Sequence, residues 1–110
     1  MFDAYDVSLK LATSLRTPLV RIRLSDASLA TQLSRAAASV PLNLSEGNRR
    51  RGKDRLHLFR VAAGSAAEVK ACLNVAMAFD YASECAGSEA HELADRVLAM
   101  CWRLTHPKGR

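Results

Sequence analysis

Apolar positions recur at steps of three and four along almost the whole chain, the period of amphipathic helices, and they sort into four segments. The first runs from Phe2 to about Val20. Its stripe is Phe2, Tyr5, Leu9 and Ala12, continued with some drift by Leu15 and Leu19. Pro18 ends or kinks this helix, and Arg21-Ile22-Arg23-Leu24-Ser25 reads as a link. Ser25 or Asp26 caps a second helix with the stripe Leu29, Leu33, Ala36, Val40 and Leu44, broken at Gly47 and Gly52. Pro41 lies inside that stripe. It removes one backbone hydrogen bond and crowds the Ala37 carbonyl, which predicts a bend near Ala37 and not an end.

Asp54 opens a third helix, where Phe59, Ala62, Ala66, Val69, Leu73 and Ala76 keep the alternation unbroken. The pattern fades after Phe79, Asp80 and Tyr81, through Ala86-Gly87. Ser88 then caps a fourth helix, with Glu89 and Glu92 in its first turn and the stripe Ala90, Leu93, Val97, Met100 and Leu104. Pro107 and Gly109 close the chain. Four such stripes joined by short links predict an all-α protein, an up-down-up-down antiparallel four-helix bundle.

Composition supports that class. The 110 residues suffice for one domain, spanning 1–110, and leave no room for two independent cores. Apolar residues make up 49% and aromatic residues only 5%, so helices packed through alanine fit better than a sandwich or barrel. No segment approaches the roughly 18 uninterrupted apolar residues of a membrane span, and the N-terminus carries Asp3 and Asp6 where a leader would be apolar. Cys72, Cys85 and Cys101 are odd in number and widely spaced, without a C-x-x-C pair, so they read as buried thiols. A reducing, cytoplasmic location is expected.

Polar residues interrupt the inner faces at regular spacing. Arg35, Ser39 and Asn43 follow one another at four-residue steps, with Glu46 three further on. Gly64, Ser65 and Glu68 occupy one turn of the third helix beside its stripe, so the two sets can face each other, with an Arg35–Glu68 ion pair as one contact. They are either half-exposed boundary positions or a buried network that fixes register.

The segments that carry these residues, R-A-A-A-S-V-P-L-N-L-S-E-G from Arg35 to Gly47 and F-R-V-A-A-G-S-A-A-E from Phe59 to Glu68, resemble a known family. They are similar to the proteins encoded in 23S rRNA intervening sequences, which typically read R-A-x-x-S-I-P-x-N-I-A-E-G and then a Phe and A-x-G-S-x-x-E. The resemblance is close over about a third of the chain and extends along it in helix layout. It departs at Leu44 and Ser45, where the family usually has Ile and Ala. It implies a cytoplasmic bacterial four-helix bundle assembling as a homopentamer, with no established enzyme activity. A related branch comprises accessory proteins of diversity-generating retroelements, basic pentamers that bind nucleic acid and a reverse transcriptase.

No constellation in the chain supports catalysis. Gly47-Asn-Arg-Arg-Arg-Gly52-Lys53-Asp54 nearly spells a phosphate-binding P-loop, but Asp54 stands where the motif needs Ser or Thr, and no strand precedes it. His57, His91 and His106 are scattered, without metal-ligand spacing, and read as surface residues. Ser39, Ser45 and Ser65 have no nucleophile setting, and Glu46 and Glu68 each have a structural partner at hand. No catalytic residue, metal or cofactor is expected. Trp102, the sole tryptophan, lies off the core stripe as a boundary residue or as an anchor for another subunit, and the resemblance favours the anchor.

Charge is where function shows. Sixteen Lys and Arg against eleven Asp and Glu leave a net charge of +5, and twelve of the sixteen are Arg, whose planar fork suits phosphate or carboxylate. Arg49-Arg50-Arg51-Gly52-Lys53-Asp54-Arg55 places five bases and one acid within seven residues. A solvated corner accounts for such a run, but adjacent arginines repel one another unless an anion is near.

In an up-down bundle this corner shares an end with both termini. Arg103, Lys108 and Arg110 would then join it, opposed by Asp3, Asp6, Glu46 and Asp54. The other end would set Arg16, Arg21 and Arg23 against Asp26, Asp80, Glu84, Glu89 and Glu92. The expected function is a non-enzymatic homopentamer that contacts RNA or DNA phosphates through Arg49, Arg50, Arg51, Lys53 and Arg55, with Arg103 and Lys108 beside them. The alternative is a scaffold that docks a nucleic-acid-handling protein such as a reverse transcriptase.

Overall fold

Alternating helix and break along the chain resolves, in the computed structural model, into five helices over the described residues 2–106, the Cys85 side chain excepted. They are α1 (Asp3–Ser14), α2 (Arg16–Ser25), α3 (Ala27–Asn48), α4 (Gly52–Ala78) and α5 (Glu84–Thr105). The described residues contain no strand, and no helix among them is long and apolar enough to cross a membrane. The helices form an all-α bundle with principal extents of 45 × 22 × 21 Å.

Five helices stand where four were expected because the first segment breaks at Leu15, not after Pro18. Pro18 has no N–H to donate to the Ser14 carbonyl, so α1 ends at Ser14. Leu15 closes it with a tight bond from its N–H to the Ala12 carbonyl, 3.2 Å. Pro18 then sits in the first turn of α2, where helical N–H groups lack intrahelical partners in any case. The expected link 21–25 is helical. Its end is set by Asp26, whose extended backbone and Oδ1, accepting from the Leu29 N–H at 2.9 Å, cap α3.

The first stripe has the expected period and the wrong phase. Ala4, Val7, Leu11, Leu15 and Ile22 are buried, whereas Leu9 is exposed and Phe2, Tyr5, Ala12 and Leu19 are half-buried. In α3 and α4 the expected stripes are the observed ones, Leu29 alone being half-buried. Helix α3 runs through Pro41 without ending. Helix α4 begins two residues before Asp54, at Gly52, whose φ of +61° suits a residue without Cβ.

Helix α5 begins at Glu84, ahead of the expected cap at Ser88. Ser83 is the cap, and its Oγ accepts from the Ala86 N–H at 3.1 Å. The Ala86-Gly87 pair that reads as a turn is therefore the first turn of the helix. The fold's centre is Phe59, Leu11, Leu15, Ile22, Leu33, Leu44, Leu73, Val40, Val69 and Val97, with buried alanines on every helix except α2.

Candidate nucleic-acid interface

The α3–α4 corner is built by close approach of two helices. Gly47, expected to break α3, lies inside it and is buried. A Cβ there would stand 2.8 Å from the Phe59 ring and 3.2 Å from Leu58 Cβ, so only glycine admits that ring. Phe59 also meets Phe2 at 5.8 Å between centroids, and the Arg55 guanidinium lies 5.2 Å from the Phe59 centroid. These contacts tie the start of α1 and the start of α4 to one end of the bundle.

The link from α3 to α4 is three residues long, and all three are arginine. Backbone bonds from Arg49 N–H to the Glu46 carbonyl (3.1 Å) and from Arg50 N–H to the Gly47 carbonyl (3.0 Å) fix the turn. With its backbone committed, the tight link leaves its side chains at the surface. Arg49, Arg50, Arg51 and Lys53 are exposed and Arg55 is half-buried. Arg50 Nε donates to Glu46 Oε2 at 2.7 Å, an exposed pair of small net energy. Asp54 favours the positive N-terminus of α4 and offsets part of the basic charge there.

Arg103 belongs to the same end. It is exposed and lines a groove of about 340 Å³ with Phe2, Asp3, Ala4, Met100 and Leu104. Phe2 thus lines a groove with Arg103 of α5 and packs on Phe59 of α4, over which Arg55 lies. Lys108 and Arg110 lie outside the described residues.

The polar set between α3 and α4 is only partly the expected network. Asn43 Nδ2 donates to the Ser39 carbonyl (2.8 Å) and to Ser39 Oγ (2.9 Å), and Ser65 Oγ donates to Ser39 Oγ at 2.8 Å. All three are half-buried. Arg35 and Glu68 are exposed and do not pair; Glu68 instead accepts from Gln32 Nε2 at 3.3 Å, and Glu46 turns to Arg50. Four-residue spacing put Arg35, Ser39 and Asn43 on one face but could not show that Gln32, one turn before Arg35, lies opposite Glu68.

Cys72 and Cys101 are buried and unpaired. Burial pushes the Cys101 thiol up to about 11, and burial, with a smaller contribution from Glu68, pushes Cys72 upward, so neither is poised as a nucleophile. His57 and His106 are exposed, and His91 is half-buried with Nδ1 3.7 Å from Asp95. Sequence reasoning missed the Phe2–Phe59–Arg55 stack, although an aromatic four residues after an arginine was its available signal.

The sequence pattern of the 23S rRNA-intervening sequence protein family matches residues 2–103. The chain belongs to that family. Among solved structures, it is similar to a protein of unknown function from the S23 ribosomal protein family of Bacteroides thetaiotaomicron. The two share a TM-score of 0.84 at 14% identity, covering 93% of this chain and 97% of that one. That likeness is one of fold. No curated protein matches the sequence. The S-x-P-x-N and E-G elements of this chain have physical reasons: Ser39 accepts from both Asn43 and Ser65, and Gly47 admits Phe59.

Proposed function

We propose that this member of the family is a non-enzymatic homo-oligomer, a ring of five copies, that holds RNA or DNA by its phosphates at the basic end. In this reading α1 and α2 act as one rod, joined through the Leu19 N–H to the Leu15 carbonyl at 2.9 Å. The protein is then an up-down-up-down bundle of four rods working in the cytoplasm. The observation that carries the reading is the three-residue link made wholly of arginine. Among the described residues Arg49 and Arg51 have no carboxylate partner, and Lys53, Arg55 and Arg103 lie at the same end.

Assembly is supported by the outer face of the α3–α4 pair. Leu42 is 68% exposed there, Val75 is exposed on α4, and Gly64 is exposed with open space where a Cβ would stand. A ring would repeat the basic end around one rim and bind a polyanion multivalently.

The test is affinity for a labelled nucleic acid as a function of salt. Contacts to phosphate release counterions, so log K falls linearly with log salt by about 0.9 per contact on duplex DNA. Arg49/Arg50/Arg51→Ala together is expected to weaken binding and flatten that slope by about 2–3, one such step for each guanidinium removed. Equal, weak binding by both proteins removes the reading. A second reading, a scaffold for a nucleic-acid-handling protein such as a reverse transcriptase, is favoured by Val20 and Leu24, exposed on α2 beside Arg21 and Arg23. A protein partner recovered after nuclease treatment would support it.

A further inference from the structure

At the end of α5, a large aromatic ring faces water beside the basic end. Trp102 is 60% exposed although it is the chain's sole tryptophan. One face is occupied: the His106 imidazole stacks on it at 4.3 Å between centroids and 12° between planes. His106 is itself held, with Nδ1 donating to the Trp102 carbonyl at 2.9 Å and lying 3.1 Å from Thr105 Oγ1. The indole is therefore backed by a second flat ring. The next residue, Arg103, lines a groove with Phe2, whose ring meets Phe59 and so lies at the same end as Arg55.

We propose that the indole of Trp102 is a stacking platform for an unpaired nucleobase, which makes single strands the preferred ligand of the basic end. The proposal rests on the phosphate-binding reading above and adds to it what phosphates alone cannot supply, discrimination between single strand and duplex. Bases in a duplex are stacked on one another and present only edges, whereas a single strand can turn a base onto an aromatic ring while its backbone follows a basic groove.

The surroundings favour a base over a second copy of the chain. A subunit anchor sits at the centre of an apolar patch. The exposed positions nearest Trp102 on α5 are instead Ala99, Arg103 and His106, with Asp95 and Arg96 two turns earlier. The other large exposed apolar side chains among the described residues lie on other elements, at Leu9 on α1, Val20 and Leu24 on α2, Leu42 on α3, Val75 on α4 and Phe79 just after it. An exposed flat ring at the basic end of the bundle, with Arg103 next to it in sequence, is the composition of a single-strand site.

Because Trp102 is the only tryptophan, its emission reports on that ring alone. A fluorescein-labelled 12-nucleotide oligo(dA) and a 12-base-pair duplex are titrated against the protein, following label anisotropy and Trp102 emission together. The single strand is expected to quench the emission and the duplex to leave it unchanged. Trp102→Ala should weaken single-strand binding roughly fivefold or more, the loss of one stacked base, with duplex affinity unaltered and Trp102→Phe close to wild type.

Binding of both ligands without quenching, or an equal loss for both in Trp102→Ala, overturns the stacking site and leaves phosphate binding standing. Binding of neither ligand overturns the reading beneath it as well. Light scattering on Trp102→Ala closes the remaining route: a smaller oligomer would assign the ring to a subunit contact and overturn the proposal.

Discussion

The α3–α4 pair and the α1–α2 segment bury comparable stripes and are built on different principles. Between α3 and α4 the contacts are directional: Gly47 admits the Phe59 ring, and Ser39 joins Asn43 and Ser65 through hydrogen bonds of 2.8–2.9 Å. Either contact fixes how far one helix is displaced along the other. The α1–α2 segment presents Ala4, Val7, Leu11, Leu15 and Ile22 and is interrupted by Pro18. Among the described residues, the side-chain bond that joins it to α3 is a long one, from Arg23 Nη1 to Thr31 Oγ1 at 3.5 Å. Apolar burial is non-directional and tolerates sliding; a glycine–ring contact does not. The specifically packed pair is also the one that carries the arginine link, so the basic corner rests on the half of the bundle whose register is fixed by directional contacts.

The largest expected effect breaks that corner. Phe59→Ala removes the fully buried ring that Gly47, Phe2 and Arg55 all contact, and should cost about 3–5 kcal/mol, read as a fall in the urea midpoint. Gly47→Ala comes next. Its new Cβ meets a buried ring at 2.8 Å, and forced overpacking of this kind costs about 1–3 kcal/mol. In a Phe59→Leu background, where the ring edge is gone, Gly47→Ala should cost less than in wild type. Strict additivity of the two changes would show that the glycine is there for another reason.

Legibility followed the same division. The stripes of α3 and α4 could be read directly because their three-four spacing runs unbroken along both helices, with the polar Ser39, Asn43 and Ser65 beside the stripes and not in them. In α1, two phases compete: Phe2, Tyr5, Leu9 and Ala12 look as apolar as Ala4, Val7 and Leu11, and packing against α3 and α5 chose the second. The start of α3 was legible to within one residue, Asp26 taking the cap over its neighbour Ser25. The start of α5 was misplaced because two serines offered caps, Ser83 winning over Ser88.

The basic corner was visible as a charge run. Its shortness was not, because Gly47 reads locally as a breaker, and only the facing Phe59 shows why it sits inside a helix. Pairing across helices was the least legible property: Glu68 takes Gln32 and not Arg35, a choice that depends on helix rotation.

The smallest expected effect sharpens the contrast by moving to the outer surfaces of the two regions. Leu24 on α2 is 84% exposed and Leu42 on α3 is 68% exposed, so Lys at either position removes little buried area from the isolated chain. Each substitution should change monomer stability by no more than about 0.5 kcal/mol. Their effects on assembly should differ. Leu42 shares the outer face of the α3–α4 pair with Gly64 and Val75, and a lysine there would bring like charges together in every copy of a ring. Leu42→Lys is therefore expected to lower the mass seen by light scattering, and Leu24→Lys to leave it unchanged. The reverse outcome would move the subunit contact to α2 and leave the α3–α4 face free for another partner.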